Sequence, residues 1–264
     1  MKIAYIGLDL FYPVLCTLAE TGCEIAEIFT CETDNVTEFN TEIIGFAEKN
    51  GIPYTTKRIT LEDIKRLKQK GCRMAVCAGY YFRIPVDSEF LMVNIHPSLL
   101  PEGRGSWPMP ISILRGDKHS GVTVHKIAEG FDTGDILLQR SFEMSAQENL
   151  KSFMDKACRL ASDMMHELIR NFDELYKNAV PQGTGEYIEA PSEKDWTVTE
   201  DMTFEEADLI LRAFYGYECV YLSKDKKYIL INAKAVKKEI KDKHCFKFKD
   251  GYIVADRITK ELYV

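Results

Sequence analysis

The chain of 264 residues carries 34 basic and 41 acidic side chains, a net charge of −7, and 45% of its residues are hydrophobic. That length suits one large α/β domain with a small appendage, and the balance of apolar and charged residues excludes both disorder and a fibrous repeat. No run of eighteen apolar residues occurs and the opening MKIAYIGLDL lacks the pattern of a signal peptide, so a cytoplasmic protein without a membrane span is expected.

The first apolar run, KIAYIG, reads as a buried parallel strand, and Leu10, Val14, Leu15 and Leu18 follow at helical spacing up to Gly22. A second strand, EIAEIFT, precedes a helical face of Ile43, Ile44, Phe46 and Ala47 closed by Asn50-Gly51, and Pro53 forbids its continuation. Thr60 caps a helix carrying Leu61, Ile64 and Leu67, and RMAVCAG, LMVNIHPSLL and GVTVHKIAEG read as further strands. Ser145 and Glu148 form the capping box of a long helix through Leu150, Met154, Ala157, Ala161, Met164, Met165 and Leu168. Strands alternating with helices argue for a mostly parallel sheet covered by helices.

The stretch from 180 to 200 is rich in Pro, Gly, Thr and Glu. It places a linker at 186–200 between a catalytic domain at 1–185 and a small β-rich domain at 201–264. The latter holds a short helix from Phe204 to Phe214 and the strands CVYL, KYILINA, CFKF and GYIVA, with Asp250-Gly251 as a hairpin signal. Charge differs between the two parts. Residues 1–200 hold 21 basic and 30 acidic side chains, net −9; residues 201–264 hold 13 and 11, net +2. An acidic main body is a poor platform for a polyanion such as RNA. Eight cysteines lie singly in apolar or strand-like runs without Cys-x-x-Cys, and five scattered histidines lack ligand spacing, so reduced thiols and no metal are expected.

Two segments carry the candidate chemistry. Asn94 and His96 alternate along a strand that Pro97 ends, so both project from one face near its carboxyl edge, where open α/β sheets bind ligands. Asp132 lies in the run Gly130-Phe131-Asp132-Thr133-Gly134-Asp135. Taken singly, Asn94 and His96 could as well satisfy loop backbone groups and Asp132 could mark only a turn. Together, an amide donor, an imidazole and a carboxylate suit acyl transfer.

NIHPSLLPEGRG followed by GVTVHKIAEGFDTGDILLQ closely resembles the folate-dependent formyltransferase family, which includes glycinamide ribonucleotide, methionyl-tRNA and sugar-nucleotide formyltransferases. The resemblance covers the whole chain. It implies a Rossmann-like catalytic domain with a mostly parallel sheet, then a small β-rich, OB-like domain. It also implies 10-formyltetrahydrofolate as formyl donor, no metal, and Asn94, His96 and Asp132 as the catalytic trio. On that account Asn94 and protonated His96 donate hydrogen bonds to an oxyanion as a neutral amine attacks the formyl carbon. Asp132 keeps His96 charged and takes the amine proton. Arg83, Ile84 and Pro85, with Glu129, Gly130 and Asp132, are the implied contacts of the donor's pterin. Ser98, Leu99, Leu100 and Pro101 line the implied acceptor entrance, followed by Arg104 and Gly105 in a mobile loop. His125 is read as a structural strand residue, and His119, His166 and His244 as surface residues.

The acceptor is narrowed by three segments. Glycinamide ribonucleotide enzymes open with a phosphate loop, whereas this chain has Gly7-Leu8-Asp9, with a carboxylate that repels phosphate. The tRNA enzymes carry a basic insertion after the second strand; here that piece, 31–38, is acidic and short. IFTCETDN and GYYFRIP instead resemble the enzyme that formylates UDP-4-amino-4-deoxy-arabinose, although Glu102-Gly103 departs from the Gly or Ser of those enzymes. The expected partner is a small-molecule amine such as a nucleotide-linked amino sugar, ahead of tRNA, with no membrane; a homodimer is compatible with this. The alternative of another class is a catalytically silent folate-binding module, which would release no tetrahydrofolate with any amine.

Overall fold

Two unbroken apolar runs, KIAYIG and MAVCA, lie side by side as parallel strands, and the first half of the molecule is organised around them. The computed structural model describes residues 1–224, 226–241 and 244–263. In chain order its elements begin with β1 (Lys2–Gly7), α1 (Tyr12–Glu20), β2 (Glu24–Phe29), α2 (Thr41–Asn50), β3 (Tyr54–Thr55), α3 (Leu61–Gln69) and β4 (Met74–Ala78). Next come β5 (Leu91–His96), α4 (Pro108–Arg115), β6 (His119–Lys126), β7 (Ile136–Glu143) and α5 (Leu150–Lys177). The chain continues with β8 (Thr197–Thr199), α6 (Phe204–Ala213), β9 (Glu218–Leu222), β10 (Lys226–Ile231), β11 (Lys234–Val236), β12 (His244–Phe248), β13 (Gly251–Ala255) and β14 (Arg257–Tyr263).

One compact unit gathers Met1–Ser106, Ser120–Phe142 and Asp155–Ile188. Its seven-stranded sheet has the order β3-β2-β1-β4-β5-β6-β7. The strands from β3 to β5 run parallel, and β6 pairs with β5 antiparallel, so the sheet is mostly parallel as expected. Helix caps follow the sequence signals. Thr60 and Asp63 make a reciprocal capping box at α3, and Gly51 closes α2 with a left-handed φ of 63°. Glu27 is a buried charged residue among the apolar positions of β2. Its carboxylate is paired by Arg66 at 2.8 Å and Lys70 at 3.0 Å, which ties α3 to the sheet.

Asp9 does more than repel phosphate. Its carboxylate accepts from the backbone N–H of Glu42 at 2.9 Å and of Ile43 at 3.0 Å, and so fills the N-terminus of α2 from outside the helix. An anion site at that helix end is already occupied by a side chain. Asp9→Ala should therefore lower stability by about 1 kcal/mol, the usual worth of an N-cap, in a urea denaturation experiment.

The long helix α5 buries Leu150, Phe153, Met154, Ala157, Ala161, Met164, Met165, Leu168 and Phe172, and its backbone leaves helical geometry at Asn171. The capping box expected at Ser145 and Glu148 does not open this helix. Glu148 does accept from Ser145 N at 2.8 Å, but this closes a turn ahead of the helix. The cap is Asn149, whose side chain accepts from Ser152 N at 2.9 Å. Asn149 has the short acceptor that an N-cap needs and lies four residues beyond Ser145, directly before Leu150.

A second compact unit gathers Trp107–His119, Glu143–Met154 and the described residues of Glu189–Val264. It holds a four-stranded sheet, β14-β10-β9-β8, and a three-stranded sheet, β11-β13-β12. Trp107, Trp196, Phe214 and Tyr217 pack edge-on or tilted with ring centroids 4.6–6.5 Å apart. In the β12–β13 hairpin Phe248 pairs with Gly251, so the turn is centred on Lys249 and Asp250, one residue earlier than the Asp250-Gly251 signal implied. Gly251 is needed for space: a Cβ there would lie 2.9 Å from the rings of Phe204 and Phe248. Among the described residues no helix is long and apolar enough to cross a membrane.

Candidate functional site

The carboxyl end of β5 carries Asn94 and His96, two residues apart and therefore on one face. The antiparallel register sets His125 of β6 directly opposite Asn94. The turn that follows, 130–135, delivers Asp132 to the same point. Asn94 Nδ2 lies 3.1 Å from His125 Nε2 and donates to Asp132 Oδ1 at 3.3 Å. His96 Nδ1 is 3.6 Å and His125 Nε2 3.5 Å from that same oxygen. Asp132 Oδ2 accepts from Gly105 N at 3.0 Å. His96 Nε2 is held by the carbonyl of Gly103 at 2.8 Å, and His125 Nδ1 by that of Lys126 at 2.8 Å. Those carbonyls, which can only accept, place a proton on His96 Nε2 and one on His125 Nδ1.

The electrostatics separate the two titrating members of the predicted trio. Burial opposes ionisation of Asp132, yet His96 and His125 beside it and the Gly105 N–H more than offset that, holding its pKa down to about 2. Burial is the largest influence on His96 and pushes its pKa below the ordinary imidazole value. Asp132 and the Gly103 carbonyl push the other way without prevailing. At neutral pH the site is therefore an ionised carboxylate beside a neutral imidazole, whereas the sequence led us to expect a charged His96.

Asp132 takes a left-handed φ of 52°, uncommon for a residue with a side chain, and its surroundings hold it there. Lys126 N donates to Asp135 O at 2.9 Å and Lys126 Nζ reaches Asp135 at 3.0 Å. From the segment that follows α5, Gln182 Nε2 donates to the carbonyls of Asp132 at 2.9 Å and Gly134 at 2.6 Å. Gln182 Oε1 in turn accepts from Arg104 Nε at 3.1 Å and Nη2 at 2.8 Å. Arg104 also pairs through its backbone, donating to Glu186 O at 3.2 Å and accepting from Ile188 N at 2.7 Å. Part of the stretch expected to be linker thus forms a strap, 182–188, along the entrance loop.

The remaining predicted contacts fall into two groups. Arg83 Nη2 donates to the carbonyl and carboxylate of Glu129 at 2.5 and 2.6 Å, so the loop with Ile84 and Pro85 is tied to the one with Gly130 and Asp132. Ile84 is buried, while Tyr81, Phe82 and Phe131 are exposed. Ser98 and Leu100 are buried: Ser98 Oγ donates to Glu102 O at 2.8 Å, and the Leu100 N–H donates to Thr123 Oγ1 at 3.1 Å. The Ser98 hydroxyl serves the turn itself and the Leu100 N–H ties it to β6, while Leu99, Pro101, Arg104 and Gly105 continue along the entrance loop. His119, His166 and His244 are exposed. All eight cysteines are free, and among the described residues no cluster of His, Cys, Asp or Glu could hold a metal. Gln182 is a neighbour that sequence reasoning missed, and His125, read there as a structural strand residue, also borders the trio. No signal in the sequence announces them, because one depends on strand register and the other on chain closure after α5.

Residues 31–169 match the family model described as formyl transferase. Methionyl-tRNA formyltransferase of Ehrlichia ruminantium is 32% identical over 196 residues, covering 72% of this chain and 64% of that protein. The chain thus spans less than two thirds of the length of this curated relative. Among solved structures, HypX from Aquifex aeolicus in complex with tetrahydrofolic acid superposes with a TM-score of 0.75 at 17% identity, over 100% of this chain and 46% of HypX. The N-formyltransferase from Helicobacter canadensis, in complex with folinic acid and dTDP-3-aminofucose, gives a TM-score of 0.65 at 18% identity, over 96% of this chain and 98% of that one. The structural likenesses carry the fold, and the sequence matches, which include Asn94, His96 and Asp132 within 31–169, carry the kinship. This chain belongs to the folate-dependent formyltransferase family.

Proposed function

We propose that the chain transfers a formyl group from 10-formyltetrahydrofolate to a primary amine, and that the amine belongs to a nucleotide-linked amino sugar. The observation that carries formyl transfer is the convergence of Asn94, His96 and Asp132 at the carboxyl end of β5. The folate supplies an activated formyl group and a nitrogen that can leave once protonated. The donor contacts assigned to Arg83, Ile84, Pro85, Glu129 and Gly130 are supported by the Arg83–Glu129 bridge that joins their two loops.

As the amine attacks the formyl carbon, Asn94 turns an amide N–H to the oxygen that gains charge, and the His96 Nε2–H turns to it from Gly103. Each such donor lowers the barrier by about 3–4 kcal/mol. Asp132, ionised and within reach of both rings, accepts the proton that the amine loses. His96 Nδ1 faces that carboxylate and receives the proton as Nε2 gives its own to the departing folate nitrogen. One C–N bond forms, one breaks, and the proton has moved from acceptor to leaving group. Because His96 must be unprotonated to receive it, the acid limb of the kcat/KM profile should lie below about pH 6.5, the ordinary imidazole value. A limb above that pH would contradict a neutral His96.

The acceptor assignment is supported by the loop after β2. Asp34 accepts from the backbone N–H of Val36, Thr37 and Glu38 at 2.8–3.1 Å, and Asn40 donates to Cys31 O at 2.7 Å, so the segment is a small closed acidic turn. It offers no cation for a phosphate backbone. In the second unit Lys226, Lys227 and Lys237 are engaged with Glu261, Glu193 and Glu205. Residues 242–243 of the Lys-rich stretch 234–249 lie outside the described residues. The second reading, methionyl-tRNA as acceptor, is favoured by the curated relative at 32% identity.

One assay separates them: release of tetrahydrofolate with nucleotide-linked amino sugars against charged initiator tRNA. Turnover should appear with an amino sugar, and Lys→Glu changes between 234 and 249 should leave it unaltered. Formylation of the tRNA at a rate that collapses on those changes would replace the sugar by the tRNA. Release with neither, alongside tight folate binding, would favour a silent binder.

A further inference from the structure

We infer that Gln182 is a positioning residue that fixes the Asp132 carboxylate against His96; its consequence for turnover rests on the formyl-transfer reading above. Gln182 lies beyond the segment 31–169 that matches the family model, and no part of the catalytic assignment requires it. Its amide is nonetheless saturated by functional neighbours. Both N–H groups are given to the carbonyls of Asp132 and Gly134, and Oε1 takes both the Nε and Nη2 donors of Arg104.

These contacts close a ring. Gln182 holds the main-chain oxygen of Asp132 and the guanidinium of Arg104, and the next residue, Gly105, gives its N–H to the Asp132 carboxylate. Both ends of Asp132 are thereby anchored to one side chain. The need is physical, because Asp132 sits at φ 52°, a conformation its own backbone disfavours. A side-chain amide with paired donors and acceptors fits this place, since it meets two carbonyls on one side and a cation on the other. Freed from Gln182, the Asp132 peptide can rotate, and its carboxylate then leaves the 3.6 Å approach to His96 Nδ1. The groups facing His96 are Asp132 from the 130–135 turn, His125 from β6 and the Gly103 carbonyl from the entrance loop. Of these, Asp132 supplies the negative charge that raises the affinity of His96 for a proton.

The test is an NMR titration of the full chain with labelled histidine, comparing wild type with Gln182→Met, which keeps length and removes all four hydrogen bonds. Gln182→Leu is the second variant. It likewise removes every one of these hydrogen bonds and adds no charge near His96, so it should act in the same direction. In a folded variant the His96 midpoint should move to lower pH. Turnover should fall at least tenfold, the scale of an ångström-sized misplacement of a reacting group, roughly 10–100-fold, with KM for 10-formyltetrahydrofolate changing less than about threefold. An unmoved His96 midpoint in both variants would overturn the inference whatever turnover does. A moved midpoint with kcat within about twofold of wild type would overturn the positioning role. Should wild type form no formyl product with any amine, the formyl-transfer reading fails, and the titration alone still decides whether Gln182 sets Asp132 against His96.

Discussion

Asp132→Asn is expected to lower turnover at least about a hundredfold, as loss of a catalytic base or an oxyanion donor usually does. The substitution keeps the size of the side chain, and an amide oxygen can still accept from Gly105 N. What it changes is the other end of the group. Oδ1 meets an N–H of Asn94 at 3.3 Å and the rings of His96 and His125 at 3.6 and 3.5 Å. An amide NH2 placed there opposes the Asn94 donor and cannot take a proton. The His96 midpoint should fall further, because burial already lowers it and the opposing influence of Asp132 is gone. Histidine NMR checks that point directly. Turnover within tenfold of wild type would remove Asp132 from the proposed proton path.

The same carboxylate links the site to acid stability. Its pKa is held to about 2, below the value near 3.9 of an unfolded chain. A depressed carboxylate contributes stability that is complete above the unfolded pKa and is lost as pH falls through the folded one. Wild type should accordingly lose stability between about pH 4 and pH 2, and Asp132→Asn should lack that component.

Gly134→Ala should produce the largest loss of stability among single-methyl additions, about 3 kcal/mol by urea denaturation. A Cβ at Gly134 would lie 1.9 Å from the Lys126 carbonyl oxygen and 2.7 Å from its carbon. Both obstacles are backbone at the end of β6, so neither can swing aside. The turn 130–135 must separate from β6, which breaks the bond from Lys126 N to Asp135 O and the one from Gln182 to Gly134 O. Activity should fall with stability, because Asp132 rides on that turn. Gly45→Ala makes the contrast. Gly45 is exposed inside α2 with nothing within 4 Å of an added Cβ, so alanine there should stabilise by about 0.5–1 kcal/mol. Equal effects at the two positions would show that steric access does not govern them.

The fold was largely legible where the sequence speaks in short periods. The runs KIAYIG and MAVCA announce buried parallel strands, and Thr60 with Asp63 or Asn50 with Gly51 mark helix ends through local chemistry. Elements without such a signal were passed over. The helix α4 opens on Trp107-Pro108-Met109-Pro110, which reads as a breaker although proline is tolerated in a first helical turn. The strands β7, β11 and β14 are recognisable only through their partners. For the candidate site, alternation places Asn94 and His96 on one face. It says nothing of His125, which reaches Asn94 through the antiparallel register of β5 and β6. The protonation of His96 was not legible in the sequence, because it turns on burial, a property of the folded surroundings, which outweighs the nearby carboxylate in lowering its pKa.

The brace from Gln182 also has a consequence for how the molecule is made. A ribosome releases the chain from its N-terminus, and N-terminal regions begin to fold first. Asn94, His96 and Asp132 all leave the exit tunnel well before residues 182–188, which hold the Asp132 turn and the entrance loop in place. During synthesis there is an interval in which the sheet can form and the trio has emerged, yet its carboxylate lacks an anchor. Nascent chains stalled just before residue 182 should be folded in their sheet and unsettled at Asp132, and the final geometry should arrive only as the strap emerges.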